Sequence, residues 1–248
     1  SMKDVLLTAD GQRAIELALQ PIQEWEVEKA ALRTEFIDNV RSQLGPTQLE
    51  RWPRLERAMR REKELPRGEI QGESTDLFLA LREMQLGRDV FDSLDPVLEG
   101  YAMRLDAALV RRRTVMDQAQ PVIQDAMVSG DLSQGLQALS SIVEARIGVR
   151  AVNDAAIEDL TAALPDDLAG EFHDLAMRRA YPEIYHSTVI DRVLEQAREL
   201  EDLTDEQRVA LDEIEAEYLV ALEDMNGRML AVDREHSPKI PRLRAENV

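Results

Sequence analysis

Apolar side chains recur at three- and four-residue steps from Asp10 to Leu44, at Ile15, Ala18, Leu19, Ile22, Trp25, Leu32, Phe36 and Val40. That spacing lines one face of a helix and predicts a long amphipathic one. Pro21 removes an amide donor inside it, which predicts a kink there or a break into two pieces. Gly45-Pro46 opens a second helix running to about Glu64, with proline in the first turn where its missing N–H costs nothing. The stretch LPRGEIQGE, 65 to 73, reads as a loop. Ser74 is placed to cap a third helix, and Leu94, Val97, Leu98, Tyr101, Leu105, Ala108 and Leu109 mark a fourth that can continue past Arg113.

MVSGD, 127 to 131, punctuates the chain, and a long helical segment follows to about Leu164. Pro165-Asp166-Asp167 opens the next helix, AYPEIYHS interrupts, Ser187 is placed to cap another, and Thr204 opens the last, to about Glu235. The tail over 236–248 has two prolines and no apolar period, so disorder is expected there. The fold class this predicts is all-α, an elongated bundle of long amphipathic helices.

Laying the second half on the first suggests an internal duplication. At an offset of 117, Leu86, Leu94, Asp95, Tyr101 and Leu105 fall on Leu203, Leu211, Asp212, Tyr218 and Leu222 without a gap. The expected organisation is one helical unit over 8–115, a related one over 130–235, and a flexible tail over 236–248. Chance similarity between helices of like period is the alternative.

Composition narrows the partners more than the fold. Aromatics at 4% and 11 glycines argue against a β-sandwich or a loop-rich enzyme. A net charge of −19 opposes phosphate backbones and anionic lipid surfaces, so nucleic acid is not an expected partner. The basic residues cluster in 51–67, in Arg111-Arg112-Arg113 and in the KIPRLR tail, and interspersed Glu makes the first cluster a solvated helix face. There is no cysteine, which removes disulfides, thiolate ligands and a Cys nucleophile. No run of 18 apolar residues exists, so no helix is expected to span a membrane. Ser1-Met2 reads as a cleavage remnant, which leaves a natural signal peptide open.

The five residues Leu203-Thr204-Asp205-Glu206-Gln207 carry the one motif. Thr204 as N-cap would accept from the Gln207 amide while Gln207 reaches back to the Thr204 amide, a capping box. Asp205 and Glu206 in the first turn complement the helix dipole. Leu44-Gly45-Pro46-Thr47-Gln48 keeps the Leu and the Gln but caps with Gly, and Leu7-Thr8 followed by Gln12 is one residue too long. LTDEQ followed by an amphipathic helix also resembles the LTxxQ motif of the Spy and CpxP family of periplasmic helical proteins. The resemblance implies a bent, all-helical, usually dimeric cradle that binds partly unfolded clients without ATP, or senses envelope stress. It implies a periplasmic or cell-envelope location, the alternative being cytoplasmic. The acidic charge departs from the family's generally basic client surface, and the chain is longer than a typical member.

Candidate chemistry is sparse. Glu183-Ile184-Tyr185-His186 has the Glu-x-x-His spacing of di-iron bundles, and Asp233 to His236 is a loose second copy. Both sit at helix boundaries, so ordinary polar side chains are the competing account. His173 with Met177 could make half of a softer site. No Gly-x-Ser-x-Gly elbow or glycine-rich phosphate loop is found, and no cofactor is expected. Trp25, Trp52, Tyr101, Tyr218 and Met225 form helix-to-helix seams or, in part, an exposed protein-binding face. The leading expectation is a non-enzymatic protein-binding chain, which the resemblance sharpens to an ATP-independent periplasmic chaperone or stress-sensing protein. A scaffolding protein acting through a specific partner or homo-oligomer is the alternative, and a metal-responsive sensor is third.

Overall fold

A computed structural model of the chain describes residues 9–129, 132–241 and 243. The described residues are helical, with no strand, and the fold is all-α. Two compact units divide between Glu56 and Arg57.

In the first unit, α1 (Ala9–Ser42) runs unbroken through Pro21, so the expected break is not seen. The lost amide bond is local, and good helix formers such as Leu19, Gln20, Glu24, Glu26 and Lys29 flank it. A turn closes at Leu44, whose amide meets the Arg41 carbonyl at 3.2 Å. α2 (Pro46–Glu64) then begins where expected, at proline, and its later turns belong to the second unit.

The second unit is built on a pair of long helices, α5 (Asp95–Ser129) and α6 (Leu132–Ala163). They run antiparallel: Gly135 lies against Ala126 at one end, and Arg104 reaches Asp159 at 2.6 Å towards the other. Leu98, Tyr101, Leu105 and Leu109 on α5 face Val149, Ala156, Ile157 and Leu160 on α6, all buried in one core. Steps of three and four residues keep each set on one face. α3 (Leu77–Glu83) adds Leu77, Ala80 and Leu81, and α7 (Asp166–Ala180) adds Phe172, Ala176 and Met177. The short α4 (Arg88–Ser93) leads into α5, while α8 (Val189–Arg198) and α9 (Asp205–His236) complete the unit. α9 contributes Leu230 to the core.

Several expectations change at the ends of elements. Asp76, not Ser74, caps α3, its Oδ1 accepting from the Phe78 amide at 3.0 Å. Thr188, not Ser187, caps α8, in a full capping box with Asp191. In both cases the side chain that caps is the one directly before the first helical residue, where its oxygen reaches the free amides. The tail is ordered further than composition suggested: Ser237–Lys239 forms a 3-10 turn, and the Ser237 hydroxyl accepts from Arg150 at 3.2 Å.

The division between units falls at 56 rather than between 115 and 130, because α5 crosses residue 115 without interruption. MVSGD falls partly outside the described residues, as do Leu7 and Thr8. The two segments aligned at offset 117 follow different courses. Leu94 closes α4 and is fully buried with Tyr101 and Leu105, whereas Leu211, Tyr218 and Leu222 lie half-buried within one continuous helix.

Leu160→Ala, which empties a fully buried position, is expected to cost about 2–5 kcal/mol in urea unfolding. Val220→Ala, at a position 71% exposed, should change stability by less than about 0.5 kcal/mol.

Candidate functional site

The densest polar chemistry of the second unit lies inside it, around the loop that joins α2 to α3. Arg146, Arg150 and Asn153 stand at i, i+4 and i+7 on α6, in line with the core residues Ile157 and Leu160. Arg112 on α5 continues the stripe of Leu105 and Leu109. Polar side chains on an apolar stripe are therefore carried into the core, where they must find partners.

The partner is Glu73, which is fully buried. Its Oε1 accepts from Arg112 Nη1 at 2.6 Å, and its Oε2 accepts from Arg146 Nη1 at 3.1 Å and from the Glu69 amide at 2.8 Å. The Ile70 amide adds a further bond at 3.3 Å. The guanidinium groups also bond the same loop, Arg112 to the Glu64 carbonyl and Arg146 to the Arg67 carbonyl and to Glu69, while the buried Arg112 Nε has no hydrogen-bond partner among the described residues. One step along, Asn153 Nδ2 donates to the Gly72 and Glu73 carbonyls at 2.7 and 3.1 Å, and Tyr101 Oη donates to Asn153 Oδ1 at 3.0 Å. Burial, with the charge of Asp76 adding to it, pushes the Tyr101 phenol well above its ordinary range, so it stays a neutral donor.

Gly72 makes the fit possible. Its φ of +79° favours glycine, and a Cβ there would sit 2.8 Å from Tyr181 Oη and 2.9 Å from Arg150 Cγ. Its amide donates to the Ala180 carbonyl at 2.7 Å, which joins this loop to the end of α7. Tyr181 Oη donates to Asp154 Oδ1 at 2.7 Å, and Arg234 of α9 meets Asp154 Oδ2 at 2.9 Å. Burial raises the Tyr181 phenol, and the Asp154 charge raises it further. Arg150 reaches across to the Arg234 carbonyl at 3.2 Å.

Each charged group thus faces fixed donors or acceptors of the protein. The Glu73 carboxylate accepts from two guanidiniums and two amides, and both of its oxygens are occupied by the protein itself. The arrangement clamps a loop. The signal for it in the sequence was the set of Arg and Asn at helical register with core positions, and the reading of Arg111 to Arg113 as a charge cluster missed that only Arg112 turns inward.

The residues singled out from the sequence separate into different environments. The capping box forms: the Gln207 amide donates to Thr204 Oγ1 at 3.2 Å and the Thr204 amide to Gln207 Oε1 at 2.9 Å, with Leu203 half-buried before it. Gln48 does the same work at the start of α2, accepting from the Gly45 amide at 2.9 Å beside a half-buried Leu44. Of the proposed binding face, Trp52 and Tyr101 are buried at 4% and 0% exposure and cannot meet a partner. Tyr218 is half-buried, its hydroxyl 2.5 Å from Thr188 Oγ1, while Trp25 and Met225 are exposed.

His186 Nδ1 lies 3.2 Å from the Glu183 carbonyl, and the Glu183 carboxylate accepts from Gln71 at 3.4 Å. The two side chains do not converge on a common point with other ligands. Among the described residues no group of three or more His, Asp or Glu is assembled to hold a metal ion.

The exposed apolar residues of the second unit gather on its last two helices. On α9, Ile214, Met225, Met229 and Val232 are each 46–58% exposed. With the smaller Ala221 they follow i, i+7, i+11, i+15 and i+18 and so share one side of the helix. On α8, Ile190, Val193 and, just beyond its end, Leu200 form a second strip, exposed by at least half. The Arg198 guanidinium binds Asp212 at 2.6 Å and also Glu215, tying the end of α8 to α9. No family model matches the chain, and no curated protein or solved structure matches it.

Glu73→Ala is expected to destabilise the protein by about 3–5 kcal/mol, because it strands two buried guanidiniums; a urea titration at neutral pH measures it. A second expectation concerns acid. Burial alone would raise the Asp191 carboxyl, but bonds from the Thr188 amide, the Tyr218 and Thr188 hydroxyls and the charge of His186 together hold it below the ordinary range. Its contribution is full above the ordinary aspartate value of about 3.9 and is lost as pH falls through the depressed one. Asp191→Asn should flatten the fall of melting temperature with acid in that window.

Proposed function

We propose that this chain is a non-enzymatic protein-binding protein that holds partly unfolded polypeptide segments on the apolar strips of α8 and α9, without ATP. The observation that carries the reading is the α9 strip, in which Ile214, Met225, Met229 and Val232 lie open to solvent on one side of a 32-residue helix. Exposed apolar residues scattered singly need no explanation, whereas a run of them on one helix face marks a surface for another chain. Two of the four are methionines, whose flexible thioethers adapt to unlike partners. Acidic residues such as Glu217 and Asp224 border the strip, which keeps it soluble and favours clients with basic segments.

The inner clamp supports the same reading from the other side. With its charged groups committed to loop carbonyls and to one another, it fixes the framework on which α8 and α9 are presented. The LTDEQ box adds less, since capping accounts for its polar residues.

Titration into a chemically unfolded, aggregating client, read by light scattering beside an inert acidic protein of equal charge, tests the proposal. Suppression near one-to-one is expected, and Ile214→Glu/Met225→Glu/Val232→Glu should abolish it while leaving the melting temperature unchanged. No suppression over a wide excess would sink the reading.

A further inference from the structure

A separate surface lies on the first unit, and it does not depend on the strips of α8 and α9. Read as heptads, α1 places Ile15, Ala18, Ile22, Trp25, Lys29, Leu32, Phe36 and Asn39 at eight successive a and d positions. Four heptads of this kind exceed what a chance stripe supplies and define a coiled-coil seam. Where the side chains of the seam are described they are open: Trp25 is 55% exposed, Leu32 and Phe36 67% each. From Trp25 to Asn39, where its side chains are described, the seam faces water, and a pattern of this kind is built for a partner helix.

We infer that the partner is α1 of a second copy of this chain, in a parallel two-stranded coiled coil. Charge selects this occupant. In the parallel register the g and e positions that face each other pair Glu28 with Arg33 of the other copy, twice by symmetry, and Pro21 and Glu35 meet only Glu26 and Val40. At these flanking positions opposite charges therefore meet and no like charges do. The antiparallel register that keeps the whole seam sets Asn39 against Ile15 and Lys29 against Trp25 of the other copy, so each polar seam residue loses its polar counterpart.

The two polar seam positions fit the same arrangement. Lys29 at an a position and Asn39 at a d position each meet their own copy across the axis, and polar residues at seam positions fix register and strand number at some cost in stability. Lys29 has a route out of the seam, since its ammonium already lies 4.1 Å from the centre of the Trp25 ring on the same helix. The long side chain packs along the aromatic face and keeps its charge at the edge.

The absence of native cysteine makes the test direct. The full-length chain should show by light scattering twice the mass of one 28.1 kDa chain. Leu32→Glu/Phe36→Glu should return it to a single chain with unchanged melting of the second unit, because both positions are exposed. Leu32→Cys, at d, should form a reducible cross-linked dimer on mild oxidation, and Thr34→Cys, on the opposite face, should not. A single-chain mass for the unaltered protein at high concentration would overturn the inference. So would a dimer that survives the double substitution, or one in which Leu32→Cys does not cross-link. Client suppression read from the α9 variants is unaffected by these results, so the two proposals fail separately.

Discussion

A carboxylate with no exposed surface must be paired or pay a large desolvation cost, and Glu73 is such a group. Its neutralisation by Arg112 and Arg146 brings together a loop and two helices that are distant in sequence. The loop from Leu65 to Asp76 has no ladder or helix to satisfy its own amides and carbonyls beyond one 3-10 turn. Guanidinium and carboxamide donors on α5 and α6 accept that role. Once the loop is held, Asp76 is in place to cap α3, and the Gly72 amide fixes the end of α7. The placement of the smaller helices follows from that clamp as much as from apolar packing.

Buried ion pairs of this sort add little net stability compared with well-packed apolar residues, but they penalise every arrangement that breaks them. That asymmetry suits a unit whose apolar helices could slide against one another in several registers. Tyr101, Asn153 and the Gly72 carbonyl form a chain of bonds that only one register of α5 against α6 completes. The chain is strongly acidic as a whole, yet three of its most buried side chains are arginines. They are buried together with Glu64 and Glu73, so the interior is close to charge balance and the net acidity stays at the surface.

An inner polar clamp beside the apolar core and apolar strips on the outside depart locally from the usual placement of the two chemistries. Charged groups hold the interior, while Ile214, Met225 and Val232 on α9 and Leu32 and Phe36 on α1 remain in water. Keeping such residues exposed lowers solubility, so the run of Ile214, Met225, Met229 and Val232 in one line is informative where the scattered Val209, Leu219 and Val220 are not. The two surfaces differ in kind. The α9 strip is rich in methionine and bordered by acid, whereas α1 has aromatic and polar positions at heptad spacing.

Helices and several of their ends were legible from local pattern. Pro46, the Thr204 and Gln207 box and the run of Leu98, Tyr101, Leu105 and Leu109 are each decided by residues within a few positions of one another, and local geometry is what sequence encodes most directly. At Pro21, of the kink or break that the proline signals, the break does not occur, because one missing bond does not outweigh good helix formers on either side. Burial was a different matter. Trp25 and Tyr101 share the same periodic signature, yet one is exposed and the other enclosed, because periodicity gives a face and not what covers it. The clamp was hidden for the same reason: Arg112 and Glu73 are 39 residues apart, Arg146 and Glu73 are 73 apart. Helical register marked these residues as inward-facing; only the tertiary structure decided which distant charge each would meet.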